Sequence, residues 1–392
     1  HLVVGCNADI ALWPSTTHWL PKPGGTPELQ IGDPEFDDLI QLGGPPELLR
    51  AVLDVDTRAA VLALAKRTLQ VSGSPVALRG PAGVRNGDIV LSLRDEEYLD
   101  DPERLSAIVR SLLDLASRLD PPADLLARIA ENSEREPHWR VRLENLAFLT
   151  ERYPYHFVAR EALERGCHDE HPEVRLRAAM AKGAEGCDAL LDLAGLASAR
   201  QGPPSPSVED SCSARAVGAL GEQLSMEQAE EILGSALRGH RLQTARACLE
   251  SLGRPGCPAV VPPLAKVLAV SQGALAVTAA LALGSSGQAA AEAPLLEALE
   301  RDSAEVRAAA AEALGHVGSV TSVLLLKELA TSGDAGAGER RAARQAIAEI
   351  QSRLHGASPG QLSLAEGGAG DLSLADEDPR GRVSLTDRAR TK

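Results

Sequence analysis

One dipeptide constrains this chain more than anything else in it. Leu-Gly recurs at Leu220-Gly221, Leu252-Gly253, Leu283-Gly284 and Leu314-Gly315, with the glycines 32, 31 and 31 residues apart. Each pair closes a run with helical spacing, clearest in the stretch from Asp302 to Gly315. There Val306, Ala309, Ala310, Ala313 and Leu314 make one apolar stripe. Asp302 or Ser303 stands where a side chain can accept the free N–H groups of a first helical turn, and Glu305 suits the positive end of the helix dipole. A glycine after the last leucine predicts a left-handed stop, so Gly315→Val is expected to cost about 1 kcal/mol or more in backbone strain. A helix of this length does not persist alone in water and needs neighbours.

The sequence supplies them. Val174 to Gly183 is an earlier copy, set 38 residues before Gly221 by an insertion at Gln201-Gly-Pro-Pro-Ser-Pro206. Val141 to Leu149 is a more divergent copy, and Arg341 to Ile347 is a last one. A second amphipathic run, such as Ala293–Glu300 or Val323–Ala330, lies between successive copies. A fixed period of this size with two helices per unit predicts a solenoid, in which each unit buries its apolar faces against its neighbours. The expectation is a mostly α chain. It comprises a right-handed α-solenoid of helix pairs, about seven repeats over residues 121–355, preceded by a small α+β domain.

The pattern Asp-x-x-x-Val-Arg-x-x-Ala-Ala-x-Ala-Leu-Gly at 302–315 resembles the short bacterial HEAT repeat, the class also named after phycobilisome lyases. The resemblance covers about residues 136–354 and concerns fold far more than activity. It implies Asp–Arg pairing within or between units, and Asp302 with Arg307, and Asp169 or Glu170 with Arg175, occupy the matching places. The copies at 212 and 275 lack the pair, so the ladder is incomplete.

Outside the array, residues 1–30 read as irregular, with Leu2-Val-Val-Gly5 a candidate strand and Pro14, Pro21, Pro23, Gly24, Gly25 and Pro27 breaking any regular element after it. The absence of Met at position 1 leaves room for an upstream segment. Residues 31–120 read as the α+β domain. Phe36–Leu42 suits a strand or a helical turn. Helices are expected from Pro46 and from Asp56, the latter capped by Asp56 and ending in the cations Lys66 and Arg67. Within Val84–Leu93, Asn86-Gly87 signals a hairpin and is followed by a strand, and a long amphipathic helix starts at Asp101. Pro121-Pro122 marks the boundary with the array, and the polar cluster of Glu136, His138, Arg140 and Arg142 reads as a solvated face. Residues 356–392 lose the period and gain Gly, Ser and Asp, which predicts disorder. They carry three copies of G-x-[LV]-S-L-x-[DE], with apolar pairs Leu362/Leu364, Leu372/Leu374 and Val383/Leu385. Each copy has strand periodicity and could add to a partner's sheet edge.

Charge and composition narrow the function. The net charge is −15, whereas a duplex-binding array needs a basic stripe, which argues against nucleic acid. All nine aromatic residues precede residue 158, so the later array has no ring on which to stack a base, flavin or bilin. The six cysteines form no C-x-x-C pair, which points to a reducing compartment, the cytoplasm by default. No apolar run is long enough to cross a bilayer.

Cys167-His-Asp-Glu-His171 holds zinc-type donors, with Cys167, His168 and His171 as the candidate ligands, although an inter-helix loop is expected to be polar in any case. Trp13, His18 and Trp19 lie close together, and Glu312 and His316 share a helix face. No phosphate-binding or dinucleotide motif occurs, and no cofactor is expected. The reading favoured is a non-catalytic scaffold that binds a protein partner on the concave face of the array. Arg175, Arg215, Arg246, Glu250, Glu305, Arg307 and Glu312, at helix starts and ends, are the candidate contacts. The resemblance to lyase-type repeats admits a lyase or chromophore-attachment protein as the alternative. A helical-repeat DNA repair protein would need a basic, aromatic-lined cleft.

Overall fold

The computed structural model describes residues 2–4, 10–14, 29–65, 69–72, 89–93, 101–196, 209–255 and 258–353. The chain divides into two compact units, His1–Leu193 with Ala199–Val208, and Ala194–Ser198 with Glu209–Lys392.

The first unit begins with the expected α+β arrangement. Five strands, β1 (Leu2–Val4), β2 (Ala11–Pro14), β3 (Ile40–Gly43), β4 (Leu69–Ser72) and β5 (Ile89–Leu93), pair antiparallel in the order β1-β5-β4-β2-β3. Leu12 lies opposite both Leu42 and Val71. Four helices accompany the sheet: α1 (Pro34–Leu39), α2 (Pro46–Val52), α3 (Val55–Ala65) and α4 (Pro102–Arg118). The segment that could have been strand or helix is both, α1 and then β3. Asp54, not Asp56, caps α3, accepting from the Thr57 N–H at 2.9 Å and the Thr57 hydroxyl at 2.8 Å. Lys66, Arg67 and Asn86-Gly87 lie outside the described residues. Phe36, Leu49, Val61, Leu115 and Leu119 form the core.

Helices α5 (Leu125–Arg135), α6 (Trp139–Arg152), α7 (Phe157–Gly166), α8 (Pro172–Lys182) and α9 (Cys187–Ala194) follow. Pro121-Pro122 does not mark a break in packing. Helix α5 lies on α2, and Val141 of α6 belongs to the same core as Phe36. At Gly32, with φ +99°, a Cβ would sit 2.7 Å from the Arg140 carbonyl oxygen, so only glycine lets this turn lie against α6.

Buried ions join these helices. Arg58, 2% exposed, donates to Asp33 at 2.9 Å, to Glu136 at 2.8 Å and to the Leu53 carbonyl at 2.8 Å. Arg142 forks onto both oxygens of Asp169 at 2.8 Å and donates to the Glu136 carbonyl at 2.7 Å. Asn132 donates to the Arg50 carbonyl at 2.9 Å. Glu136 and Arg142 are therefore interior groups, not part of a solvated face. A carboxylate three residues before a helix is buried when a guanidinium from another element meets it.

The second unit is a stack of helices: α10 (Asp210–Leu220), α11 (Met226–Arg238), α12 (Leu242–Leu252), α13 (Val261–Val270), α14 (Gly273–Ser285), α15 (Glu292–Ala298), α16 (Ala304–Val317), α17 (Val320–Thr331) and α18 (Ala337–Arg353). Each odd helix from α11 to α17 packs on the even helix that follows it. The even helices form a tight row, α10 on α12, α12 on α14, α14 on α16 and α16 on α18, whereas α13, α15 and α17 touch one another sparsely. This is the paired-helix solenoid that the period predicts.

The glycines do something other than expected at three of the four Leu-Gly pairs. Gly221 turns left-handed at φ 54°, but Gly253 has φ −70°, and Gly284 and Gly315 lie inside α14 and α16. Helix α16 runs on to Val317. What these glycines permit is close approach. A Cβ on Gly253 would fall 2.7 Å from the Cα of Ala282, and one on Gly284 would fall 2.6 Å from the Cα of Ala313. One on Gly315 would meet Ala346 Cα at 3.2 Å and the Glu349 carboxylate. Gly253, Gly284 and Gly315 thus each receive an alanine of the next repeat.

Two carboxylates cap helices that belong to later repeats. Asp210 accepts from the backbone N–H groups of Gln243 and Thr244 at the start of α12, at 2.8 and 2.9 Å. Glu292 accepts from the Ser319 N–H at 2.8 Å and from the Ser319, Thr321 and Ser322 hydroxyls at the start of α17. Ser303 caps α16 as the sequence suggests.

Candidate interaction groove

Because α12, α14, α16 and α18 stack in register, side chains one period apart fall side by side. Arg246, Val277, Ala308 and Arg341 form one such row, and Glu250, Leu281, Glu312 and Gln345 form another. The outward faces of these helices enclose two adjoining clefts. One, of about 600 Å³, runs from Arg246 and Glu250 across Val277 and Leu281 to Glu305. The other, of about 420 Å³, continues from Val277, Leu281 and Glu305 to Glu312, Arg341 and Glu349. The shared residues make them one groove. Its floor is small and apolar, with Ala282, Ala309 and Ala346 buried and Val277 and Leu281 half-buried. Its charged groups stand in solvent: Arg246, Glu250, Glu305, Glu312 and Arg341 are all exposed. Arg246 meets Glu250 at 3.4 Å, an exposed pair that adds little stability and leaves both groups available. Glu305 and Glu312 are seven residues apart, about two turns or ~10 Å along α16.

Four of the seven sequence candidates, Arg246, Glu250, Glu305 and Glu312, line this groove. Arg215 is exposed on α10 and is not among the lining residues. Arg175 and Arg307 serve the chain itself. Arg175 is buried, and its guanidinium donates to the carbonyls of Asp169 and Glu170 at 2.9 and 3.3 Å. Arg307 donates to the carbonyls of Arg301 and Asp302 and pairs with Glu339 at 2.7 Å. The Asp–Arg pairs implied by the resemblance are therefore corrected. The side chain of Asp169 goes to Arg142, and Arg307 takes the backbone of Asp302 and the carboxylate of Glu339. Burial pushes the Glu339 carboxyl up, but the Gly336 N–H and Arg307 outweigh it and leave it below its ordinary range.

The zinc-type candidate is not assembled. Among the described residues no group of three or more His, Cys, Asp or Glu side chains could hold a metal. Cys167 is buried, and burial raises its thiol. His171 stacks on Trp139, ring centroids 4.0 Å apart, and its Nδ1 accepts the Glu173 N–H as the cap of α8. Asp169 is spent on Arg142. His316, which shares a helix face with Glu312, comes within 3.9 Å of Glu349 across to α18. The Trp13 side chain, His18, Trp19 and the tail motifs at Leu362, Leu364, Leu372, Leu374, Val383 and Leu385 lie outside the described residues.

Val277, Leu281, Arg341 and Glu349 were not among the sequence candidates. The signal was present: stepping from Arg246 or Glu250 by one period reaches Val277 and Leu281 on α14, apolar residues at positions that hold charges elsewhere.

Residues 271–348, from the start of α14 into α18, match the HEAT repeats family. Residues 271–348 carry HEAT repeats. No curated protein matches it. The matched segment holds most of the groove's lining, with Arg246 and Glu250 of α12 and Glu349 of α18 outside it, and no helix among the described residues is long and apolar enough to cross a membrane.

Proposed function

We propose that the chain is a non-catalytic scaffold whose HEAT array docks a protein partner on the face of α12, α14, α16 and α18. One observation carries this reading: half-exposed Val277 and Leu281 lie in the middle of a groove edged by Arg246, Glu250, Glu305, Glu312 and Arg341. An apolar centre with a polar rim is the anatomy of a protein interface. A stack packed tightly along one row and loosely along the other bends towards the tight row, which supports placing this face on the inside of the curve. The groove offers length and mixed charge, which suit an extended or helical segment of another protein.

Affinity capture with two variants tests the reading. Val277→Lys/Leu281→Lys replaces the apolar centre, and lysine's stem keeps the local packing covered. Glu297→Lys/Glu328→Lys changes exposed charges on α15 and α17, away from the groove. A partner retained by the parent and by the second variant and lost by the first is the expected result. Equal retention by all three chains overturns the docking reading.

A further inference from the structure

The three tail motifs share an apolar-Ser-Leu centre but differ in surroundings. Residues 357–379, with the first two copies, contain five acidic side chains and no lysine or arginine. Residues 380–392, with Val383-Ser-Leu385, contain five cations against the single Asp387, a net charge of +4. The groove has the opposite sign. Arg246 and Glu250 offset each other, and Glu305, Glu312 and Glu349 outnumber Arg341. Like charge repels the first two copies from it, and only the third complements it.

Position allows the contact. Helix α18 is one wall of the groove, and its last described residue, Arg353, is fixed by hydrogen bonds to the carbonyls of Gly315 and Gly318 at 2.8 and 2.9 Å. The residues from 354 to 382 can span up to ~100 Å, several times the ~25 Å length of α18.

We propose that residues 380–392 seat in the α14–α16–α18 groove of their own chain, Val383 and Leu385 against Val277 and Leu281, the arginines towards Glu305 and Glu312. The inference rests on the docking reading above and deepens it, because it gives the groove a ligand class: a basic segment with an apolar-Ser-Leu centre. A tethered segment acts at an effective concentration on the order of millimolar. An outside partner with the same chemistry therefore has to displace it.

A benzophenone amino acid at position 383 of the full chain, photolysed and mapped by mass spectrometry, tests this. The expected cross-links stay within one molecule and fall on residues 274–285, 305–312 and 338–349. Glu305→Lys/Glu312→Lys reduces them by about tenfold or more, and the same probe at position 363 labels those helices weakly. Cross-links elsewhere, cross-links between two molecules, or equal labelling from position 363 overturn the proposal. If the partner in the capture experiment still depends on Val277 and Leu281 while the cross-links fail, the tail inference falls and the docking reading stands.

Discussion

The helix pairs of the two units are held together by different means. Around α5 to α8, buried ions do the joining, through Arg58 with Glu136 and Arg142 with Asp169. From α12 to α18 the contact is glycine against alanine, Gly253 on Ala282, Gly284 on Ala313 and Gly315 on Ala346. The ionic joints fix geometry through directed hydrogen bonds and draw Arg58, Glu136 and Arg142 into the interior. The small-residue joints bring backbones together at the floor and leave the longer side chains at the rim exposed. The groove lies where the second kind of joint repeats.

The largest effect is expected from breaking an ionic joint. Arg58→Ala leaves Glu136, itself buried, without its cation, and removing one member of such a pair costs about 3–5 kcal/mol. Urea unfolding followed by far-UV circular dichroism checks it, and a loss under ~1 kcal/mol, the range of an exposed pair, would show that the joint is not needed. Next comes Gly284→Ala, whose methyl group meets the Ala313 backbone; overpacking of this kind costs about 1–3 kcal/mol. Gly315→Ala costs less, because its nearest obstacle is the movable carboxylate of Glu349. Gly218→Ala on α10 has open space around it and is expected to stabilise by about 0.5–1 kcal/mol. The same urea unfolding ranks these three, and a stabilising Gly284→Ala would refute the close-approach account.

Acid adds a histidine stage, from the first unit, to the loss of carboxylates. Burial holds His171 below its ordinary pKa, so the folded first unit binds a proton there less readily than the unfolded chain does. The stability that this group contributes is present above ~6.5 and is lost as pH falls through its depressed value. In the second unit Asp210, Glu292 and Glu339 are depressed despite burial, Asp210 and Glu292 by the N–H and hydroxyl donors they accept from, Glu339 by Gly336 and Arg307. Their contribution persists down to the ordinary carboxylate range near ~4 and is lost below it. Thermal melts from pH 7 to 3 should lose stability in two stages, and His171→Asn, which retains a capping acceptor, should remove the first. A single stage near pH 4 in both proteins would remove His171 from the account.

What was legible in the sequence was local or periodic. The Ser303 cap, the span of α16 up to its last turn and the pairing of helices follow from neighbours a few residues away. The groove candidates Arg246, Glu250, Glu305 and Glu312 follow from the period, which returns the same helix face in each unit. What was not legible depended on distant partners. Gly315 read as a stop because Ala346, 31 residues on, could not be seen to lie against it. Glu136 read as solvated because Arg58 is 78 residues away. Arg175 and Arg307 shared the exposed-looking position of the other candidates, and only the neighbouring loop carbonyls turn them inward.

Hydroxyl-radical footprinting of the chain ending at Arg353, so that residues 380–392 cannot cover the groove, alone and saturated with the captured partner, tests the docking face most directly. Val277, Leu281 and Arg341 should lose reactivity on binding, while the exposed Leu324 and Leu325 of α17 keep theirs. Protection of Leu324 and Leu325 with Val277 and Leu281 unchanged would place the partner on the other row of helices and contradict the account.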